Sequence, residues 1–344
     1  MKVTLKPKLG GIMGESSRVR LLLPLLGLLI AALVYPAAAG ATFRGLNGDI
    51  WFVAGSPQNA EGQLVASGST GNRFRQVLPS RYRVFSVAAS PDGRTVAICA
   101  SDRGGPSDIY TATTAGKRLK KLTNARAGGK YYCEPTFSPD GRRIVFVTFS
   151  PSSNRGQAIR VMQSNGASKR DLIPPRSLDF FVEEPVFSPN GRRVAFTQTV
   201  RTDPGISEVY SASSTNGGQR RRLTDGLGSL NSYREPDYSP NGRSIVLTTR
   251  PNLLGGRTRI ATIDAVNGGP AVTRIESPDG WQYSDPRYSP DGQQLIFGGF
   301  DSNALFTETS SFLFRSRSNG TNVSRLSLLF GATSPAWAAR PRSR

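Results

Sequence analysis

Four acidic residues, each followed by proline, recur at a near-constant interval: Glu134-Pro135, Glu184-Pro185, Glu235-Pro236 and Asp285-Pro286, separated by 50, 51 and 50 residues. Carboxylates gathered by a repeat can hold a hard cation through oxygen ligands. They can receive a basic peptide, or work as general acid and base. They can equally make one structural contact several times over, a hydrogen bond to the next repeat's backbone or a pairing with arginine. Histidine is absent from all 344 residues. That excludes a Ser-His-Asp triad, a Cys-His pair, an HExxH zinc site and a histidine proton shuttle within this chain. The two cysteines, Cys99 and Cys133, form no CxxC, so neither a zinc nor a redox motif is indicated.

The formal charge is +20, with 44 Lys and Arg against 24 Asp and Glu. Such a balance admits an anionic partner, but the basic residues are scattered: Arg118, Lys120 and Lys121, then Arg220 to Arg222, then Arg340 to Arg344. No segment interleaves them with aromatics, so nucleic acid is not the expected partner, and a polyanion-binding role stands as an alternative.

The elements that must position the acids announce themselves as a repeat. Ser90-Pro91-Asp92-Gly93-Arg94 returns as Ser138 to Arg142, Ser188 to Arg192, Ser239 to Arg243 and Ser289 to Gln293, with prolines 48, 50, 51 and 50 residues apart. Pro presets φ, Asp or Asn tolerates left-handed backbone, and Gly supplies positive φ, so each copy is a hairpin turn. A short run precedes it (Thr136-Phe137, Val186-Phe187) and an apolar β-branched run follows (Ile144 to Val147, Ile245 to Leu247). A third run, such as Asp108-Ile109-Tyr110 or Glu208-Val209-Tyr210, leads to a second glycine turn and a fourth run ending in Leu-Thr. Four strands per repeat of about 50 residues predict the blades of a β-propeller.

The chain ends complete one blade between them. Gly48 to Val53 reads as a second strand without a first, and Ser334-Pro335-Ala336-Trp337 as a first strand without a second. This places blades at 43–79 with 333–340, then at 82–124, 131–174, 181–226, 232–276 and 282–328. The fold class is all-β, a six-bladed β-propeller of four-stranded antiparallel blades closed by its two termini. First strands line the central channel, so the four acids should form an arc at one channel mouth. Cys99 falls in the second strand of its blade and Cys133 at the start of the next. Adjacent blades allow a disulfide there, while different starting heights along the strands would forbid it. The aromatics Tyr131, Tyr132, Phe180, Phe181, Tyr233, Trp281 and Tyr283 fall between blades, either packed there or rimming a binding face.

Residues 1–41 carry Lys2, Lys6, Lys8, Arg18 and Arg20, then an apolar stretch from Leu21 to Val34, then Ala37-Ala38-Ala39. This order predicts a secretory signal peptide or, if uncleaved, an N-terminal membrane anchor. Either places residues 42–344 outside the cytoplasm, in the periplasm or at the cell surface, with no other membrane contact expected.

The repeated Pro-x-aromatic-Ser-Pro-Asp-Gly-Arg, followed by Ile-Tyr, Asn-Gly and Arg-Arg-Leu-Thr, resembles the repeat of TolB-type, WD-repeat-like propellers over residues 43–340. It is similar as well to the propellers of prolyl-oligopeptidase-like enzymes, whose hydrolase triad a chain without histidine cannot supply. TolB-type proteins carry a small α/β domain ahead of the propeller, where this sequence shows only the leader. The resemblance implies a non-catalytic, monomeric binding scaffold of the cell envelope with a protein, peptide or glycan partner. No cofactor is expected unless a divalent cation sits at Glu134, Glu184, Glu235 and Asp285. A carboxylate- or metal-dependent hydrolase or lyase using those acids is the alternative.

Overall fold

The computed structural model describes residues 43–56, 59–151, 156–177, 180–200, 206–251, 256–302, 311–326 and 331–341. The leader expected over residues 1–41 lies outside them. Six four-stranded antiparallel sheets are present. Blade 1 contains β1 (Asn47–Ser56), β2 (Asn59–Ser67) and β3 (Arg75–Gln76), with β24 (Thr333–Ala339) as its innermost strand. Blade 2 is β4 (Tyr82–Ala89), β5 (Thr95–Asp102), β6 (Asp108–Thr113) and β7 (Lys120–Lys121). Blade 3 is β8 (Tyr131–Phe137), β9 (Arg143–Phe149), β10 (Ala158–Gln163) and β11 (Arg170–Ile173). Blade 4 is β12 (Phe180–Phe187), β13 (Arg193–Val200), β14 (Ile206–Ser213) and β15 (Arg221–Arg222). Blade 5 is β16 (Asn231–Tyr238), β17 (Ser244–Pro251), β18 (Arg259–Asp264) and β19 (Gly268–Glu276). Blade 6 is β20 (Trp281–Tyr288), β21 (Gln294–Asp301), β22 (Ser311–Arg317) and β23 (Ser324–Arg325). Two one-turn helices, α1 (Ala125–Gly128) and α2 (Gly226–Ser229), follow the outer strands of blades 2 and 4.

The repeated pentapeptide does the work its residue types predict. In each copy the serine hydroxyl donates to the Asp or Asn side chain, as in Ser90 to Asp92 Oδ1 at 2.6 Å and Ser239 to Asn241 Oδ1 at 2.8 Å. That oxygen also accepts the N–H two residues on, from Arg94, Arg142, Arg192, Arg243 and Gln293. The glycine sits at φ of 67 to 74° in all five copies, where a Cβ is strained. The arginine that ends the motif is solvent-exposed in four copies. The brace between blades is its neighbour Arg143, which donates to Gly191 O and Ser214 O and lies 5.1 Å over the Phe187 ring. The Leu-Thr signature is explained too. The hydroxyls of Thr123 and Thr224 accept the N–H of Ile109 and Val209 and donate to Asp108 and Glu208 of the same blade.

The core lies between blades rather than within one. Six clusters of buried apolar side chains occupy the six seams, each drawing on two adjacent blades. At the closing seam Trp337 of β24 is fully buried with Ile50 and Phe52 of blade 1 and Ile296 and Leu313 of blade 6. The indole N–H of Trp337 donates to Gly48 O at 3.2 Å. Each blade therefore depends on both neighbours, and the ring depends on β24. Deletion of residues 333–344 is expected to abolish the cooperative thermal transition. Trp337→Ala is expected to cost about 3–5 kcal/mol, read as a fall in melting temperature by circular dichroism. A truncated chain that melts like the full one would refute closure.

A belt of acids inside the ring

The acid-proline pairs lie inside the first strands, not ahead of them. β8, β12, β16 and β20 each begin three or four residues before the acid. The register of each slips at this point, between Cys133 and Thr136, Glu183 and Val186, Arg234 and Asp237, and Ser284 and Arg287. Proline has no N–H to give the ladder, so a bulge is where it fits. At the bulge Glu134, Glu184, Glu235 and Asp285 take φ of 54, 59, 60 and 51°. Left-handed backbone costs a non-glycine residue about 1–2 kcal/mol, so four copies require a repeated compensation.

For three of the four the compensation is a hydrogen bond handed from blade to blade. Glu184 N–H donates to Glu134 Oε2 at 2.5 Å, Glu235 N–H to Glu184 Oε2 at 2.6 Å, and Asp285 N–H to Glu235 Oε2 at 2.6 Å. The carboxylates of Glu134, Glu184 and Glu235 thus accept from the bulge of the following blade. Thr197 and Thr248, on the second strands, donate hydroxyls to the same oxygens of Glu184 and Glu235 at 2.5 and 2.6 Å. Charge-assisted bonds of this kind are about twice as strong as neutral ones. The two remaining blades carry serine at this position. Ser334 also has positive φ, 54°, and its hydroxyl donates to Phe85 O at 3.4 Å, while the Ser86 hydroxyl lies 3.6 Å from Cys133 Sγ.

Sequence reasoning missed the charges flanking the belt. One residue before the acid, Arg234 bonds Glu183 of the preceding blade at 2.6 Å and approaches Glu184 at 3.5 Å. Burial opposes the Arg234 charge, but Glu183, Glu184, Glu235 and Glu134 outweigh it and hold the guanidinium protonated. Two residues after the acid, Asp237 and Arg287 are fully buried on adjacent blades. Tyr288 N–H donates to Asp237 Oδ2 at 2.8 Å, and Arg287 donates to Pro286 O at 3.0 Å and sits 3.5 Å from Asp285. The signal was legible: Asp237-Tyr238 and Arg287-Tyr288 stand where other blades have Thr136-Phe137 and Val186-Phe187.

Glu134 and Glu235 keep partial exposure while Glu184 and Asp285 are buried. Burial first, and then the charges of Glu183 and Glu184, raise Glu134 well above the usual carboxylate range. Burial and Glu184 raise Glu235, and burial raises Glu183 against the pull of Arg234. What the belt can do chemically is bounded by these commitments. One oxygen of Glu134, Glu184 and Glu235 is occupied by backbone, and among the described residues no three acids or thiols converge as a cation cage.

Cys99 of β5 and Cys133 of β8 form a disulfide between blades 2 and 3, with Cα atoms 4.9 Å apart. Cys133 occupies the position that Arg234 holds in blade 5, so covalent and ionic links serve one seam position. The inter-blade aromatics divide by depth. Tyr132, Tyr233 and Tyr283 are buried at the seams, Tyr283 edge-on to Phe297 at 4.9 Å, whereas Tyr131 is exposed.

The larger concavity is elsewhere. The pentapeptide turns of blades 2 to 5 rim one channel mouth, a cavity of about 1720 Å³ whose walls include Pro91, Pro139, Pro189 and Pro240 with Asp92, Asp140, Asn190 and Asn241. Arg44, ahead of β1, lies against this mouth and donates to Pro240 O at 3.1 Å, while Asn47, the first residue of β1, donates to Asp291 Oδ2 at 2.9 Å.

Fold and belt define a closed six-bladed β-propeller whose internal acids stitch its blades together. No family model matches the chain. A Tol-Pal system protein TolB from Francisella tularensis is 29% identical over 236 residues, 68% of this chain and 50% of the relative. The chain thus spans about half the length of the curated relatives it matches. TolB from Acinetobacter baumannii superposes with a TM-score of 0.65 at 23% identity, over 85% of this chain and 67% of that one. An oligogalacturonate lyase in complex with manganese shares the fold more distantly, with a TM-score of 0.51 at 12% identity over 82% of this chain and 74% of that one. The chain is a six-bladed β-propeller similar in sequence and fold to TolB proteins.

Burial pushes Asp237 up to about 7, against the pull of Arg287 and of the Tyr288 N–H, and its Oδ1 has no hydrogen-bond partner. A carboxyl raised on folding binds its proton more tightly in the folded state. Its contribution is complete below the ordinary value near 4 and is lost as pH rises through about 7, an effect on the order of 4 kcal/mol. Asp237→Asn should therefore leave stability nearly unchanged at pH 4 and raise it at pH 8. Thermal melts across that range check this, and a difference independent of pH would contradict it.

Proposed function

We propose that this propeller is an exported, non-catalytic scaffold of the cell envelope that binds a protein segment, peptide or glycan at the mouth rimmed by the pentapeptide turns. One observation carries the reading: the acids that sequence marks as candidate chemistry are committed to inter-blade hydrogen bonds. The ligand-sized concavity is formed instead by turn residues. Concave surfaces of proline and short polar side chains suit extended partners, since proline offers apolar contact at little entropic cost. The likeness to Tol-Pal system proteins favours an envelope protein as partner. No cofactor is required by this reading, and residues 1–41 supply the export signal or anchor.

The test places a photo-crosslinking amino acid at Asn190, on the mouth, and at Leu227, away from it, in the full chain expressed in its own cells. The expected result is a discrete adduct from position 190 that disappears when Asp140→Lys and Asn241→Lys are added. The same adduct from position 227, or none from position 190, would count against the mouth as the binding surface.

A further inference from the structure

The outer strands of the blades are not equally charged. On blades 2, 3 and 4 they and their approaches carry Lys117, Arg118, Lys120, Lys169, Arg170 and Arg221, all solvent-exposed. Blade 5 presents Val266 and Val272 to solvent near its outer strand, and blade 6 presents Val323. There Arg274 donates to Thr262 and Arg325 lies over the Phe312 ring, both still exposed. A compositional preference for arginine would load all six blades alike. Every blade carries some exposed cation, Arg73 and Arg75 (the latter paired with Asp49) on blade 1 included, but the density is highest on blades 2 and 3 and continues to Arg221 on blade 4.

The charge on this arc is uncompensated. Nearby acids are already engaged: Asp108 by Lys121 at 2.6 Å, Asp171 by Arg160 at 2.8 Å, and Glu208 and Asp225 by Arg222. The six arc residues have no acidic partner. Lys120 donates to Asn165 O at 3.0 Å and Arg170 to Thr215 O at 2.7 Å, each reaching the outer hairpin of the following blade. Carbonyl contacts fix these side chains across the clefts between blades without neutralising them. Among the described residues Lys117, Arg118 and Arg221 have no side-chain hydrogen-bond or ion-pair partner. The result is a positive track carried across two inter-blade clefts on part of the ring's perimeter.

We propose that this track binds a flexible linear polyanion, a polymer carrying repeated carboxylate or phosphate groups. Its shape selects the partner. First strands line the channel and fourth strands form the perimeter, so an arc over three blades of six is strongly convex. A flexible chain can follow it from cleft to cleft, whereas a flat anionic bilayer meets only one blade's edge at a time. Affinity would come from counterion release and fall steeply with salt. The site is separate from the channel mouth, so the propeller could hold a polymer on its rim and a protein segment at its axis together.

The test is fluorescence anisotropy of the full chain with labelled polygalacturonate, long-chain polyphosphate, and vesicles containing phosphatidylglycerol, over a salt series. Two fourfold variants are compared: Arg118, Lys120, Arg170 and Arg221 to Gln on the arc, and Arg192, Arg243, Arg250 and Arg317 to Gln elsewhere on the surface. Both remove four charges, and thermal melts establish that both fold. For at least one polymer the arc variant is expected to lose roughly tenfold or more in affinity at 0.1 M salt and about 3 in the log–log salt slope, with less than twofold loss in the control. Equal losses in both variants would reduce the effect to net charge and overturn the site. Vesicle binding stronger than either polymer's, lost with the arc variant, would overturn the polymer in favour of a membrane surface. Absence of binding to all three at 0.1 M salt would overturn the proposal outright.

Discussion

A carboxylate that accepts the backbone N–H of the next blade is the interaction on which the arrangement of this ring turns. It occurs at Glu134, Glu184 and Glu235, always onto a residue held in left-handed backbone ahead of a proline. The bulge and the bond require each other. Without the bulge the N–H would point into the strand ladder, and without the carboxylate a buried N–H would be orphaned, at a cost of about 1–3 kcal/mol. Because each acceptor belongs to one blade and each donor to the next, the bond sets the angle between blades as well as the shape of one strand. The apolar seams supply most of the stability, but grease alone does not fix the register of one sheet on another.

The same bond explains why an arc of acids can exist inside a ring at all. Like charges at this spacing raise one another's pKa, as Glu183 and Glu184 do to Glu134. Arg234 and Arg287 offset part of that charge, and the N–H groups and threonine hydroxyls take up much of the rest. Asp237 is the exception, with one oxygen unsatisfied and a titration near neutrality. Repeated acids at a repeated position serve here as hydrogen-bond acceptors between blades. The repeat varies at the mouth, where turn residues differ in charge, and on the rim, where exposed cations are densest on blades 2 and 3.

Much of the fold was legible because its determinants are local. Ser-Pro-Asp-Gly fixes a turn within five residues, so its period gave the blade count, and Ser334-Pro335 beside Gly48 to Val53 gave the closure. The acid-proline pairs were legible as a set, but their place was not. Nothing local says that the strand starts before Glu184 rather than after it, since its bulge is stabilised by an acceptor, Glu134, fifty residues away. Arg234 and Arg287 were passed over for the same reason: a buried cation looks like a surface one until its partner is known. The disulfide between Cys99 and Cys133 depended on the relative height of two strands, which the seam packing sets.

The account rests on the inter-blade carboxylate bond, and native-state amide hydrogen exchange reads that bond directly. In Glu134→Ala the amide of Glu184 should lose its protection while the amides of Glu235 and Asp285, whose acceptors remain, keep more of theirs; Glu134→Gln, which retains a carbonyl oxygen, should preserve most of it. Full protection of the Glu184 amide in the alanine variant would show that the bulge is held by something else, and that the acids are free for chemistry after all.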